Sequence, residues 1–131
     1  MRLSLLLFLT LNPFVGIDWA QDRPDNAKSH IPQAQPVVSW LMAVREGAEK
    51  KLKTTFSERM RKRFDETGWD EVLKTYQQAF EKEFGDYRLE DFAFEYSGGE
   101  LEGKVSILYK GKKVPGVRVI KEQGEWRVDE R

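Results

Sequence analysis

The stretch GKVSILYKGKKVPGVRVIKEQGEWRVDE, Gly103 to Glu130, decides the fold. Val105, Ile107 and Tyr109 recur at every second position, as do Val117 and Val119, and then Trp126 and Val128. A period of two places one side of an extended chain in a core. KGKK at Lys110 to Lys113 and EQGE at Glu122 to Glu125 break the runs with turn-forming residues. The last two runs, Val117 to Lys121 and Glu125 to Val128, therefore read as a β-hairpin turning at Gly124. Pro115 and Gly116 cannot sit in an undisturbed central strand, because proline lacks the N–H that a ladder needs. A bulge or bend is predicted there, and it curves the sheet.

One more strand lies upstream. In YRLEDFAFEY, Tyr87 to Tyr96, the residues Phe92, Phe94 and Tyr96 alternate, and SGGE at Ser97 to Glu100 supplies the next turn. Four successive strands with short turns make an antiparallel meander. Its other face carries Arg88, Lys104, Ser106, Arg118 and Arg127 together with Leu108 and Ile120, so it is mixed and partly solvated.

Before the strands come three helical patterns. In PVVSWLMAVREGAEKKL, Val37, Leu41, Val44, Ala48 and Leu52 form one stripe, widened by Trp40, with Pro36 in the first turn. FSERMRKRF spaces Phe56, Met60 and Phe64 four apart behind Ser57, a natural N-cap, and its run Arg59, Arg61, Lys62 and Arg63 reads as a solvated helix side. TGWDEVLKTYQQAFEKEFG places Trp69, Val72, Leu73, Tyr76 and Phe80 on one face, with Thr67 and Asp70 at capping-box spacing and Gly85 as a stop. Helices first and a curved antiparallel sheet after predict an α+β domain over Pro36 to Arg131, with the helices on the concave side.

The start of the chain differs in kind. MRLSLLLFLTLNPFVGIDWA, Met1 to Ala20, has a basic residue, an apolar run from Leu3 to Leu11 and then Pro13 and Gly16. That is the plan of a secretory signal peptide, and the apolar run is too short to span a bilayer. QDRPDNAKSHIPQAQ, Gln21 to Gln35, reads as a flexible linker, poor in large apolar groups. It holds His30, the sole histidine, in a setting unsuited to catalysis or ligation. The expected location is secreted or periplasmic, with no stable membrane anchor after cleavage.

Composition narrows the chemistry. The chain contains no cysteine, which rules out disulfides, thiolate nucleophiles, thiolate metal sites and lipid attachment at a processing cysteine. Its 22 basic and 22 acidic side chains balance, without the basic excess that nucleic acid requires. No phosphate loop, dinucleotide fingerprint, zinc-protease motif or nucleophile elbow is present, so neither a metal nor a cofactor is expected.

Taken together, the FS step at Phe56 and Ser57, the tryptophan-led helix running into FG and Tyr87, the strand FAFEY, the run GKVSILYKGKKV and the closing VIKEQGEWRVDE resemble the nuclear-transport-factor-2-like superfamily of α+β cones, and within it small exported domains of unknown function. The resemblance covers Phe56 to Arg131. It implies that Trp126, on the last strand, seals a hydrophobic interior against Trp69, Tyr76 and the strand aromatics. It also implies a pocket lined by Trp69, Tyr76, Phe94, Tyr96, Ile107, Tyr109 and Trp126, and self-association through the outer sheet face. Enzymes of the superfamily, isomerases and dehydratases among them, project an aspartate, histidine or tyrosine into that pocket. The inward positions of this sequence offer only the phenols of Tyr96 and Tyr109, and no catalytic residue carries over. The expected function is therefore non-catalytic binding of a small apolar ligand or of an exported protein partner. The alternative is an isomerase- or dehydratase-type enzyme using a pocket carboxylate or tyrosine. The register of Asp91 to Glu95 separates the two, since only an inward carboxylate there supplies a buried acid or base.

Overall fold

The computed structural model describes residues 31–131, so the expected signal peptide and His30 lie outside the described residues. A 3-10 turn, Pro32–Ala34, leads into helix α1, Gln35–Glu46. Helices α2, Glu49–Lys53, α3, Glu58–Thr67, and α4, Trp69–Phe84, follow. After a second 3-10 turn at Leu89–Asp91 come strands β1, Phe92–Gly98, β2, Glu102–Tyr109, β3, Lys112–Glu122, and β4, Glu125–Val128. They form one four-stranded antiparallel sheet in the order β1-β2-β3-β4, the expected meander.

Local chemistry explains most boundaries. The Ser57 hydroxyl caps α3 by accepting from the Met60 N–H at 3.3 Å. Both later hairpins turn on two residues of positive φ, Lys110 (50°) with Gly111 (82°) and Gln123 (51°) with Gly124 (83°). This is the type I′ geometry whose twist matches that of the flanking strands.

Four expectations need correction. The first helical pattern is two helices, because Gly47 takes φ 70° and ends α1 as a left-handed C-cap. Thr67 does not cap α4. It closes α3, and Gly68 occupies the N-cap of α4, because the two helices abut with a single residue between them. Arg88 precedes the sheet instead of lying on its outer face, since Leu89–Asp91 coils before β1 begins. Ala34, placed by composition in the linker, is fully buried in the core.

The inner sheet face buries Phe92, Phe94, Val105, Ile107, Val117, Val119 and Val128 against Val37, Trp40, Leu41, Val44, Leu52, Phe56, Met60, Trp69 and Val72 of the helical layer. The expected bulge is present. Val105 pairs with Val117 but Ile107 pairs with Val114, so two steps along β2 face three along β3, and Pro115–Gly116 absorbs the extra residue. The phase shift puts Val114 and Val117 on the same face although they are three apart. Curvature also brings the outer strands together: the rings of Tyr96 on β1 and Trp126 on β4 meet edge-on with centroids 5.6 Å apart. In a flat sheet those strands would lie about 14 Å apart. The segment after α2 closes the free side of β4, with Ser57 N–H donating to Val128 O at 2.9 Å and Val128 N–H to Thr55 O at 2.8 Å.

Candidate ligand cavity

Three elements leave a space between them. Val37, Trp40 and Leu41 come from α1, Phe80 and Phe84 from α4, and Phe92, Ile107, Val114, Pro115 and Val117 from the sheet; together they line an apolar cavity of about 100 Å³. The bulge shapes one wall, since it brings Val114 to the same face as Val117 with Pro115 between them. Pro115 is exposed and Val114 half-buried, so the cavity reaches the surface there. None of the ten lining side chains ionises.

Trp40 is the organising side chain. It is 9 % exposed, and its ring lies 5.4 Å from Phe56, 5.1 Å from Tyr76 and 5.5 Å from Phe80, centroid to centroid. These are tilted and edge-to-face arrangements that aromatic quadrupoles favour. Its indole Nε1 is buried without a hydrogen-bond partner. The sequence placed Trp40 on the core stripe of α1 but not at a ligand site, because helical periodicity says which face is buried and not what lies opposite.

The residues expected to line one pocket are dispersed, and only Ile107 borders the cavity. Trp69 packs on Phe56 and Phe64 at the far end of α4, with its Nε1 donating to Asp65 Oδ1 at 2.6 Å and Lys53 Nζ 5.7 Å from its ring. Tyr76 lies behind Trp40, and Phe94 stacks on Phe92. The Tyr109 hydroxyl donates to Phe84 O at 3.0 Å, and that of Tyr96 to Gly99 O at 2.6 Å and Glu102 O at 2.9 Å. Both phenols are thus committed to main-chain carbonyls and are not free as pocket handles. Trp126 does not seal the interior against Trp69 and Tyr76. It is half-buried at the rim, edge-on to Tyr96 and beside Pro32 and the first turns of α1 at Pro36 and Ser39.

Neither carboxylate of the Asp91 to Glu95 segment enters the cavity. Glu95 is exposed on the outer face opposite Ser106, and Asp91 sits in the 3-10 turn ahead of β1. Burial pushes the Tyr76 hydroxyl up to about 12, with Glu130 adding to the effect. It pushes Tyr87 up to about 12 as well, against the opposing pull of Arg45. Neither phenol is a base near neutrality.

A second polar constellation was hidden from the sequence. Asp129, 3 % exposed, accepts from Ser57 Oγ at 2.5 Å, from Arg59 Nε at 3.1 Å and Nη2 at 3.0 Å, and from Arg118 Nη1. Burial raises the Asp129 pKa, but the Ser57 hydrogen bond and the two guanidiniums outweigh it, and the carboxyl is held below its usual range. A carboxylate so stabilised is a poor base, and the serine proton is already given to it. The cluster is a clasp that ties the residue after β4 to the start of α3 and to β3. Arg59 stays exposed, as expected of the solvated side, while its guanidinium reaches across to Asp129. Arg118 is half-buried on the outer face and also pairs with Glu102. No local pattern signals a contact 72 residues apart in the chain. Among the described residues no group of three or more histidine or acidic side chains is placed to hold a metal ion.

A helical layer on the concave side of a curved meander, with a small apolar interior, defines an α+β cone of the nuclear-transport-factor-2-like fold. A crystal structure from Campylobacter jejuni, which carries the provisional name of an NTF2-like transpeptidase, superposes with a TM-score of 0.52 at 15 % sequence identity, covering 74 % of this chain and 97 % of that one. At this identity the likeness is one of fold. No family model matches the sequence, and a search of curated proteins returns no match.

Proposed function

We propose that this chain is an exported, non-catalytic binding domain that takes a compact apolar molecule into the cavity under the β3 bulge. One observation carries the reading: the space is lined by ten side chains of which none ionises, so it offers burial to a ligand and no acid, base or nucleophile. A volume of about 100 Å³ is of the order of the engineered apolar cavities of about 150 Å³ that stay dry and accept benzene or xenon. The transfer chemistry in the Campylobacter jejuni name would need an activated nucleophile. Among the described residues the buried serine, Ser57, is spent on the Asp129 clasp. Export rests on the form of Met1 to Ala20.

The test is calorimetric titration of the purified protein with small arenes and cycloalkanes, with Val117→Leu as the control that fills the cavity. Saturable binding to the wild type, lost in Val117→Leu, supports the reading. Equal binding by both proteins overturns the location, and turnover of a substrate that depends on Asp91 or Glu95 overturns the non-catalytic assignment.

A further inference from the structure

The apolar cavity has an open side, and a charge stands beside the opening. Val37, Leu41, Phe92 and Val117 are buried, whereas Val114 is half-buried and Pro115 exposed, so the mouth lies at the β3 bulge. Lys112 is the next residue toward the hairpin on the same face as Val114. The pairing fixes this, because Lys112 lies opposite Tyr109 and Val114 opposite Ile107, and both partners pack toward the helices. Two residues along a strand are roughly 7 Å apart, a gap that the four-carbon stem of lysine largely spans. Lys112 is exposed, and among the described residues neither it nor Lys110 and Lys113 of the same hairpin forms an ion pair. Glu81 and Asp86, at the end of α4, border a separate cleft, where Asp86 pairs with Arg45. Resting on the binding function proposed above, we propose that the ligand is a short-chain carboxylate whose tail of about four carbons fills the cavity while its anionic head stays in water at the mouth, beside Lys112.

Size sets the tail and charge sets the head. An apolar cavity of about 150 Å³ accepts the six carbons of benzene, so one of about 100 Å³ takes about four. A longer chain gains nothing further, because its remaining carbons stay in water. This favours a free short-chain acid over the long chains of a membrane lipid. A carboxylate drawn wholly inside would lose its hydration with no cationic side chain in the lining to offset the loss. With the head outside, it keeps its water and gains the attraction of the hairpin lysines. A cationic head would meet the same three ammonium groups as repulsion.

The probes are the straight-chain carboxylates from butyrate to octanoate, titrated into the ¹⁵N-labelled protein and read at the amides of Val114, Gly116 and Val117. With one carbon bridging the mouth, affinity is expected to rise about fourfold per added carbon up to hexanoate, the value of one buried methylene, and to level off beyond it. Hexan-1-ol carries the same tail without the charge. The preference for hexanoate over it should fall about two- to fivefold in Lys112→Gln, and likewise at high salt, the range of one exposed ion pair. Lys112 is exposed, so this variant leaves the core intact. Hexanoate binding that survives unchanged in Val117→Leu places the ligand on the surface lysines alone and overturns the proposal. So does an affinity that ignores chain length or keeps rising through octanoate, or a preference for hexanoate that Lys112→Gln and salt leave intact. Cyclopentane separates this failure from that of the cavity. If it binds the wild type and not Val117→Leu while hexanoate does not bind, the carboxylate assignment falls and the cavity function stands; binding of neither overturns both.

Discussion

Removing the Asp129 carboxylate should weaken the fold more than any other change of one charge among the described residues. The side chain is 3 % exposed and accepts from one hydroxyl and two guanidiniums belonging to α3 and β3. Breaking a buried pair costs about 3 to 5 kcal/mol, because the partner charges lose their counterion. Here Arg59 and Arg118 are 42 % and 29 % exposed at the side chain and recover water when released, so the cost falls below that range, to about 2 to 3 kcal/mol for Asp129→Asn. That is a large share of the 5 to 15 kcal/mol typical of a whole domain. For a unit of this size it corresponds to a fall in Tm of about 10 °C or more. Acid sharpens the test. The carboxyl pKa is lowered in the folded state, so its stabilisation is complete above the unfolded value, near 3.8, and is lost as pH falls through the lower folded value. The gap between wild type and Asp129→Asn in urea denaturation should therefore be full at pH 7, hold to about pH 4, and close below it. Other carboxylates titrate in both proteins and cancel in the difference. A gap under about 1 kcal/mol at pH 7, or one that persists undiminished at pH 2, would refute the clasp.

Three further outcomes are expected. Gly103→Ala should destabilise by about 1 to 3 kcal/mol, because a Cβ there would lie within 2.5 Å of the Tyr96 ring carbon Cζ, and thermal unfolding reads it. Trp40→Ala should cost about 3 to 5 kcal/mol and the half-buried Trp126→Ala roughly half as much; a reversed order in denaturant midpoints would return the sealing role to Trp126. Intact mass of protein recovered from the periplasm or medium should correspond to a chain starting near Gln21, whereas a full-length mass in the membrane fraction would defeat the export proposal.

What the sequence determined by itself is what repeats at short range. The alternation in Gly103 to Val128 placed the strands, the glycines at 111 and 124 placed the hairpins, and proline with glycine at 115 and 116 placed the bulge. Each follows from the backbone's own limits: a side-chain period of two, a left-handed conformation that favours glycine, and a missing N–H. The inner face of β1 and the outward position of Glu95 followed from the same alternation. The tertiary structure decided how far the faces travel before they meet. Strict alternation omitted Val114, because the bulge changes the phase of β3 and brings it beside Val117. It could not tell that the phenols of Tyr96 and Tyr109 are spent on carbonyls, or that Trp40 rather than Trp126 occupies the centre. Those outcomes depend on sheet curvature and on how α1 and α4 cross it. The clasp of Ser57, Arg59, Arg118 and Asp129 joins three distant parts of the chain, and in the sequence each of its members resembles an ordinary surface residue or cap. Only the closing of the cone makes them neighbours and excludes the water that would otherwise hold their charges apart.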